Sequence, residues 1–311
     1  FAFKRRSRRP VQSRTMGCMY TTLITPTELR ELQNRAAPLQ LFDCSFELTN
    51  PDAGEAQFNE AHIPGALHAH LDHHLSSQSP DDRASGGRHP LPSRETFAAW
   101  LDRIGLTADT QAVVYDRQGA NYSGRLWWML KWCGHEAVAV LDGGLQAWLA
   151  SGGAAETGPA APPKKATPGG FVLRDPLARL VDTPTIASRL GDPSLTVVDA
   201  RSAARFRGEV EPLDPVAGHI PGALNRPFVD NIGADGCFKP AAQLRAEFEQ
   251  LLAGRAPSTV IHHCGSGVSA IPNLLGMEIA GLGRSALYAG SWSEWCNTPG
   301  LPCARSQVSG G

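Results

Sequence analysis

The sequence predicts an α/β protein of two domains in tandem, each with a mostly parallel sheet covered by helices on both faces. The first observation is a repeated hexapeptide, because His62–Leu67 and His219–Leu224 both read His-Ile-Pro-Gly-Ala-Leu. The second is the alternation of short apolar strand candidates with amphipathic helix candidates, which is typical of parallel sheets. The third is length, since 311 residues suffice for two domains that each bury a core.

The elements of the two halves follow one another in the same order. Each half opens with a pair that predicts a helix start, Thr25-Pro26 and Thr183-Pro184, and Glu28 completes a capping box in the first. Apolar runs that end in aspartate come next, at Leu39–Asp43 and Leu195–Asp199, and predict buried strands. Corresponding residues keep nearly the same offset, as expected for two copies of one domain that differ by short loop insertions.

A further pair of strands and a pair of helices complete the comparison. Ala112–Asp116 corresponds to Val260–Cys264, again as a short apolar run. One apolar stripe at helical spacing in each half predicts a helix that packs on the sheet. The stripes consist of Phe97, Trp100, Leu101 and Ile104 in the first half and of Leu244, Phe248, Leu251 and Leu252 in the second.

These correspondences set the domain boundaries that we expect. Residues 19–152 form the first domain, 153–178 a linker rich in Gly, Ala and Pro, and 179–305 the second domain. Residues 1–18 are basic and lack the apolar core of a secretory signal, so we expect a disordered extension outside the fold.

Composition argues against several classes of partner. The net charge of −1 gives no general attraction to nucleic acid, and no apolar run approaches the roughly 20 residues that span a membrane. Seven cysteines without a CxxC pair indicate reduced thiols in a cytoplasmic protein.

The stretch His68–His74 matches no known metal-ligand spacing, and adjacency should point its side chains to different faces. We therefore expect no metal and no other cofactor.

The segment Cys264–Pro272 carries the strongest functional signal in the chain. It follows the strand candidate Thr259–Ile261 and precedes the helix candidate Asn273–Ala280. A cysteine at such a loop faces backbone N–H groups that have no helical partner, and their field favours the reactive thiolate. Gly265 and Gly267 allow the loop to curl around the sulfur. The sequence therefore predicts a nucleophilic cysteine, and the alternative is a buried and inert one.

Several motifs resemble the tandem-domain sulfurtransferases of the rhodanese type. They are the repeated hexapeptide, the Asp-Ala-Arg of residues 199–201 and the Gly-Ser-Trp-Ser-Glu-Trp of residues 290–295. The resemblance extends over residues 23–302 and implies two rhodanese-like domains. The loop Cys264–Val268 resembles that of 3-mercaptopyruvate sulfurtransferases, since thiosulfate-using relatives usually carry basic residues after the cysteine. Asp116 occupies the corresponding position in the first half, so we expect only the second domain to be catalytic.

The resemblance also implies the chemistry of the site. The Cys264 thiolate would take sulfur from 3-mercaptopyruvate as a persulfide. It would pass the sulfur to an acceptor thiol, such as thioredoxin or glutathione, or to cyanide. The loop after the cysteine would hold the sulfur and the substrate through its backbone amides. We assign this binding role to Gly265, Gly267, Val268 and Ser269.

A donor with a carboxylate needs a cation. Arg205 matches the arginine that grips the substrate in the family, and a guanidinium binds a carboxylate through two parallel hydrogen bonds. Many relatives carry a second arginine where this chain has Leu213. Arg201 and Arg207 are the substitutes that the sequence offers.

The mercaptopyruvate branch also uses a serine, a histidine and an aspartate, and Ser266, His89 and Asp72 match them. An imidazole oriented by an aspartate beside a serine relays a proton to a departing enolate. In the alternative interpretation, His89 only caps a loop and Ser266 only bonds the loop backbone.

Three other functions stay open at this stage. A phosphatase of related fold needs an arginine to clamp the phosphoryl oxygens, and this chain has Ala270 at that position, so this alternative is weak. Thiosulfate is an alternative sulfur donor within the same enzyme class. A non-catalytic persulfide carrier or regulatory module would keep the fold and the cysteine without turnover.

Overall fold

The computed structural model describes residues 19–35, 37–160, 162 and 170–306. Within them the chain forms two sheets of five strands each, and all paired strands run parallel. The first sheet consists of β1 (Leu23–Ile24), β2 (Leu39–Asp43), β3 (Ala66–His68), β4 (Gln111–Tyr115) and β5 (Val138–Leu141). The second consists of β6 (Arg179–Leu180), β7 (Thr196–Asp199), β8 (Leu224–Asn225), β9 (Val260–His263) and β10 (Ala286–Leu287).

The helices alternate with the strands. Those of the first half are α1 (Pro26–Asn34), α2 (Ala53–Glu60), α3 (Leu71–His74), α4 (Arg94–Arg103), α5 (Ser123–Trp132) and α6 (Gly144–Ala150). Those of the second half are α7 (Thr183–Ala187), α8 (Ala203–Arg207), α9 (Ala241–Leu252), α10 (Ile271–Ile279) and α11 (Ser291–Trp295). Two short 3₁₀ helices occupy Phe228–Asn231 and Pro257–Thr259.

The two sheets have the same strand order. It is β1-β5-β4-β2-β3 in the first and β6-β10-β9-β7-β8 in the second. The identical topology confirms the two tandem α/β domains that the repeated hexapeptide predicts. Strands β4 and β9 are central in their sheets, and ligands of open α/β sheets bind beyond the carboxyl ends of the strands.

Alternate residues of the central strand β4 point into different cores. Ala112 and Val114 belong to a core that both halves share, whereas Val113 and Tyr115 belong to a core of the first half alone. The second half has a matching outer core around Ile261. Apolar residues therefore cover both faces of each sheet, as the near-continuous apolar strands predict.

The shared core is built around α5 and α10, which pack against each other. Gly124 permits their close approach, since a Cβ there would lie 3.2 Å from a methyl carbon of Ile271. At the other end of α5, Lys131 Nζ pairs with Glu278 Oε2 at 3.1 Å. The two halves are thus joined by an apolar interface with a buried ion pair at its edge.

In one of the two predicted helix starts, the residue that caps the helix differs from the predicted one. Thr25 caps α1 and forms the predicted capping box with Glu28. In the second half Asp182, rather than Thr183, caps α7, because its carboxylate accepts a hydrogen bond from the N–H of Thr185 at 3.0 Å.

The strand and the helix that flank Cys264 extend further than predicted. Strand β9 continues through His262 and His263 instead of ending before them. Helix α10 begins at Ile271, ahead of the predicted Asn273, because Pro272 fits the first turn, where its missing N–H is not needed.

The predicted extension, residues 1–18, lies outside the described residues, as do Ala36 and residues 161 and 163–169 of the predicted linker. Those predictions therefore stay predictions. In the described ranges, no helix is both long enough and apolar enough to cross a bilayer.

Candidate active site

Cys264 is the first residue after the central strand β9, and it is buried, with 2% of its surface exposed. Its N–H donates to Ser291 Oγ at 3.1 Å, and its carbonyl accepts from the N–H of Trp292 at 3.0 Å. The first turn of α11 therefore holds the nucleophile candidate in place. This helix and its N-cap Gly290 form the Gly290–Trp295 motif singled out in the sequence.

The Cys264 loop, residues 264–270, requires glycine at Gly267. This residue has a φ of +75°, and a Cβ would lie 2.3 Å from the carbonyl oxygen of Ala289. Gly265 is held through its carbonyl, which accepts from the N–H of Ser293 at 2.9 Å. The loop is therefore as tight as its glycines predict.

The corresponding loop of the first half shows how this fold holds an anion. The carboxylate of Asp116 accepts backbone N–H groups from Gln118 at 2.8 Å, Ala120 at 3.2 Å, Tyr122 at 2.9 Å and Ser123 at 2.8 Å. A strand-to-helix loop of this kind is an amide nest, which binds negative charge. The Cys264 loop follows the same strand of the repeated sheet.

Ser266, His89 and Asp72 come together across the domain interface. Ser266 Oγ lies 2.7 Å from His89 Nδ1, and His89 Nε2 lies 3.7 Å from Asp72 Oδ1. The nearby carboxylate favours the tautomer with the proton on Nε2, which leaves Nδ1 to accept the hydroxyl proton of Ser266. Ser266 is therefore bound to His89 and not to the loop backbone alone.

His89 is held in its neutral form. Burial, together with the nearby cations Arg125 and Arg88, lowers the pKa of His89 to about 3. Asp72 does not offset this effect, because its side chain is 33% exposed and its oxygen is too far from the ring for a hydrogen bond. A neutral imidazole can take a proton and return it.

Two guanidinium groups border the Cys264 loop. A Cβ at Gly265 would lie 3.2 Å from Arg88 Nη2 and 3.5 Å from Arg205 Nη1. Asp214 stands between the two arginines, with Oδ1 2.5 Å from Arg88 Nη1 and Oδ2 3.4 Å from Arg205 Nη2. Glu211 holds Arg205 from another side at 2.6 Å. Both cations are thus fixed in orientation beside the loop.

Arg88 is a candidate site residue that the sequence analysis missed. Its Nε is buried and has no hydrogen-bond partner among the described residues. Because Asp214 takes Nη1, Nη2 is the end of the guanidinium group that borders Gly265. Its position in the sequence, directly before His89, is the signal from which it could have been predicted.

The substitutes that the sequence offered for the missing second arginine lie elsewhere. Arg201 is buried in ion pairs with Asp199 at 2.6 Å and Glu211 at 3.2 Å. Arg207 pairs with Glu209 on the surface. The structure therefore supports neither as a second substrate cation.

The two remaining loop residues assigned to binding differ in environment. The side chain of Val268 is buried in the shared core, and Ser269 is half-buried. Val268 therefore has only its backbone to offer the site.

The histidine-rich stretch departs from expectation in its geometry. His68, His70, His73 and His74 line one cleft of about 390 Å³, instead of pointing to different faces. The short helix α3 turns them to one side, and the rings of His70 and His73 stack at 4.2 Å. Among the described residues, no three His, Cys, Asp or Glu side chains are arranged to hold a metal ion.

Comparison with known proteins places this geometry in a family. The sequence profile of the family described as "Rhodanese-like domain" matches residues 25–151 and residues 183–298. The chain belongs to the rhodanese-like domain family. The two matches correspond to the two sheets, so the sulfurtransferase resemblance noted in the sequence and the predicted pair of rhodanese-like domains are confirmed.

Relatives of this family share most of their length with the chain. A protein of Pseudomonas aeruginosa named "Probable 3-mercaptopyruvate sulfurtransferase" is 45% identical over 86% of this chain and 92% of its own. A "Thiosulfate/3-mercaptopyruvate sulfurtransferase 2" of Arabidopsis thaliana is 33% identical over 87% of this chain and 83% of its own. The crystal structure of a 3-mercaptopyruvate sulfotransferase from Escherichia coli superposes with a TM-score of 0.72 at 31% identity, covering 88% of this chain and 99% of that one.

Proposed function

We propose that this protein is a sulfurtransferase that moves a sulfane sulfur from 3-mercaptopyruvate, through a persulfide on Cys264, to an acceptor. The observation that carries the proposal is the contact of Ser266 with His89, 2.7 Å apart, in the loop of Cys264. Family membership and the names of relatives at 45% and 33% identity support sulfur transfer as the reaction.

In the first step the Cys264 thiolate attacks the sulfur of 3-mercaptopyruvate. A sulfur–sulfur bond forms, the carbon–sulfur bond breaks, and its electron pair leaves as the enolate of pyruvate. The new persulfide first carries the thiol proton of the donor. The hydrogen-bonded pair Ser266 and His89 relays this proton to the enolate, which leaves a persulfide anion on Cys264 and releases pyruvate. Asp72, 3.7 Å from Nε2 of His89, favours the tautomer with the proton on that nitrogen through its charge rather than through a hydrogen bond.

In the second step the sulfur leaves the enzyme. An acceptor thiolate, or cyanide, attacks the outer sulfur of the persulfide, and the Cys264 thiolate departs with the electron pair of the broken sulfur–sulfur bond. The amides of the Cys264 loop, including Gly265, Gly267 and Ser269, stabilise the anion in both steps, by analogy with the four amides that surround the Asp116 carboxylate.

The donor carboxylate binds to Arg88 and Arg205. Their guanidinium groups approach Gly265 from the first and the second domain respectively. Glu211 already takes Nε and Nη2 of Arg205, so Arg205 offers the donor carboxylate its Nη1, whereas Arg88 offers its Nη2. Arg88 then takes the place of the second arginine that the family carries at Leu213.

Two observations bear on the sulfur acceptor and on the cellular compartment of the protein. A cleft of about 810 Å³ borders Arg88 and has room for a small acceptor such as glutathione or cyanide, whereas a protein such as thioredoxin would present its thiol from outside the cleft. The six described cysteines are free thiols, which suits a cytoplasmic location.

Thiosulfate is the second candidate donor, favoured by the paired arginines, since they would also bind its charge. It needs no proton relay, because sulfite leaves without forming an enolate. A carrier without turnover is the third candidate, and it would not need Ser266 beside His89.

The first experiment compares 3-mercaptopyruvate and thiosulfate in steady-state assays with cyanide as the common acceptor, and Cys264→Ser as the control. We expect a higher kcat/KM for 3-mercaptopyruvate and no turnover in the variant. A preference for thiosulfate would keep the reaction class but remove the proposed role of Ser266 and His89. Persulfide formation without turnover would establish the carrier, and an active Cys264→Ser variant would refute the mechanism.

A further inference from the structure

Arg125 is a buried cation at the domain interface, and it has no role in the mechanism proposed above. It lies in the first turn of α5, and none of its surface is exposed. All its described hydrogen bonds go to main-chain carbonyls: Nε and Nη2 to Leu75 at 3.3 and 3.2 Å, Nη2 to His89 at 2.8 Å, and Nη1 to Gly267 at 2.9 Å. Within the described part of the chain, no carboxylate pairs with it.

The three carbonyls belong to the three segments that carry the proton relay. Leu75 directly follows α3, which presents Asp72. The second carbonyl is that of His89 itself, and Gly267 directly follows Ser266 in the Cys264 loop. A single guanidinium therefore spans both domains and touches the backbone beside each member of the relay.

A residue needed only for packing would not carry a charge at this position. A buried guanidinium without a carboxylate costs free energy, and desolvation lowers the pKa of Arg125 to about 9, although the negative charge of Cys264 acts against this shift. A methionine or leucine would fill the space without that penalty. The buried charge of Arg125 and its hydrogen bonds to three carbonyls therefore indicate a functional role rather than a packing role.

We propose that Arg125 is the positioning residue of the relay: it fixes the distance between Ser266 in the second domain and His89 in the first. The inference rests on the proposed function, because the relay matters only where an enolate must be protonated. Arg125 does not touch the donor in this arrangement; it acts through the backbone of the residues that do.

The charge of Arg125 has a second consequence. His89 is faced by Asp72, Arg88, Arg125 and the hydroxyl of Ser266, and its pKa is lowered to about 3 by burial first and by Arg125 next. Removal of this cation should move the pKa of His89 back toward its usual value of about 6.5. A residue that merely supports the fold would not produce this shift.

Two variants separate the effect of the charge of Arg125 from the effect of its hydrogen bonds. Arg125→Met keeps the bulk and loses the charge and the hydrogen bonds, whereas Arg125→Lys keeps the charge but lacks the planar fork that reaches three carbonyls. Lys131→Met, on the same helix, is the matched control, because it removes another buried cation that bridges the domains to Glu278.

The measurements are kcat with 3-mercaptopyruvate as a function of pH, and the titration of the His89 imidazole by NMR. For Arg125→Met we expect kcat to fall roughly 10- to 100-fold, the range of general acid–base contributions, and the His89 titration to rise by about one pH unit or more. For Arg125→Lys we expect a loss of kcat with a His89 titration close to wild type. Lys131→Met should lose thermal stability but keep kcat within about twofold.

Either of two results for Arg125→Met would overturn the inference. The first is a kcat within about twofold of wild type, and the second is a loss in kcat with an unchanged His89 titration. The His89 titration needs no turnover, so it tests Arg125 even if wild type proves inactive with 3-mercaptopyruvate. Failure of the wild-type assay would instead refute the proposed donor.

Discussion

At the scale of single residues, the repeated loop shows what a change of one side chain does. Asp116 and Cys264 each follow the central strand of a sheet, and each opens a strand-to-helix loop. In the first half the loop amides are satisfied by a permanent carboxylate. In the second half the same position holds the thiol of Cys264, which is the proposed nucleophile. The repeated loop thus has a structural role in the first half and, in the proposed mechanism, a catalytic role in the second.

The substrate cations are tested by Arg88→Ala and Arg205→Ala. A charge-assisted bond to a carboxylate is worth about 1.5–3 kcal/mol, so each variant should lower kcat/KM for 3-mercaptopyruvate roughly 10- to 100-fold, mainly through KM. Steady-state kinetics measure the effect. Arg207→Ala is the control, because this surface residue pairs with Glu209 away from the loop.

An unchanged KM in Arg88→Ala would show that Arg205 binds the carboxylate alone. An unchanged KM in both variants would move the carboxylate site elsewhere. Because Glu211 also binds Arg205, the folding of that variant is checked by its thermal transition.

At the scale of elements, loops at strand ends build the site and helices fix their spacing. Cys264 directly follows strand β9, the first turn of α11 holds its backbone, and α3 presents Asp72. Helix α5 connects these parts, since Arg125 in its first turn reaches the loops of both domains. The site therefore depends on how α5 sits against α10 and not on the second domain alone.

Asp116→Asn tests the first-half loop as an element of structure. An asparagine oxygen cannot accept four N–H groups as a carboxylate does, so we expect a loss of about 1–3 kcal/mol in the free energy of unfolding. Urea denaturation measures this loss. The kcat with 3-mercaptopyruvate should stay within about twofold, because the proposed chemistry lies in the other loop.

Asp52→Asn is the matched control for this variant. Asp52 caps α2 without a side-chain hydrogen bond and is exposed, so its change should leave stability nearly unaltered. A folded Asp116→Asn protein without activity would contradict the assignment of catalysis to the second domain.

At the scale of the whole molecule, buried histidines make stability depend on pH. Burial is the main cause that lowers the pKa of His74 to about 4 and of His89 and His262 to about 3. In the unfolded chain each would titrate near about pH 6.5. Below that pH the unfolded chain binds more protons than the folded one, so stability is fully present above about pH 6.5 and is lost as the pH falls toward about 3.

Thermal denaturation between about pH 8 and pH 5 tests this dependence, with a lower Tm expected at the acid end. His262→Leu should make the dependence shallower, because it removes one of the groups. His262 suits this purpose, as its Nδ1 is buried without a partner among the described residues and its neighbour is Met277. Equal pH dependence in the variant and wild type would show that other groups control acid stability.

Local patterns in the sequence are enough to predict the architecture and the position of the cysteine. The repeated hexapeptide, the strands that end in aspartate and the glycine-rich loop predicted two parallel α/β sheets and a cysteine at a strand end. These features follow from backbone chemistry over a few residues, namely capping, strand alternation and the conformational freedom of Gly267. The family resemblance then pointed to Arg205, Ser266, His89 and Asp72 by motif position.

The contacts between residues far apart in the chain could be found only in the folded structure. Ser266 and His89 are separated by 177 positions in the chain yet lie 2.7 Å apart, and Arg88 reaches Gly265 from the other domain. The same is true of Arg125, which a pattern of apolar residues would assign to an ordinary core helix. Such contacts depend on how two folded domains pack against each other, and no short stretch of sequence encodes that packing.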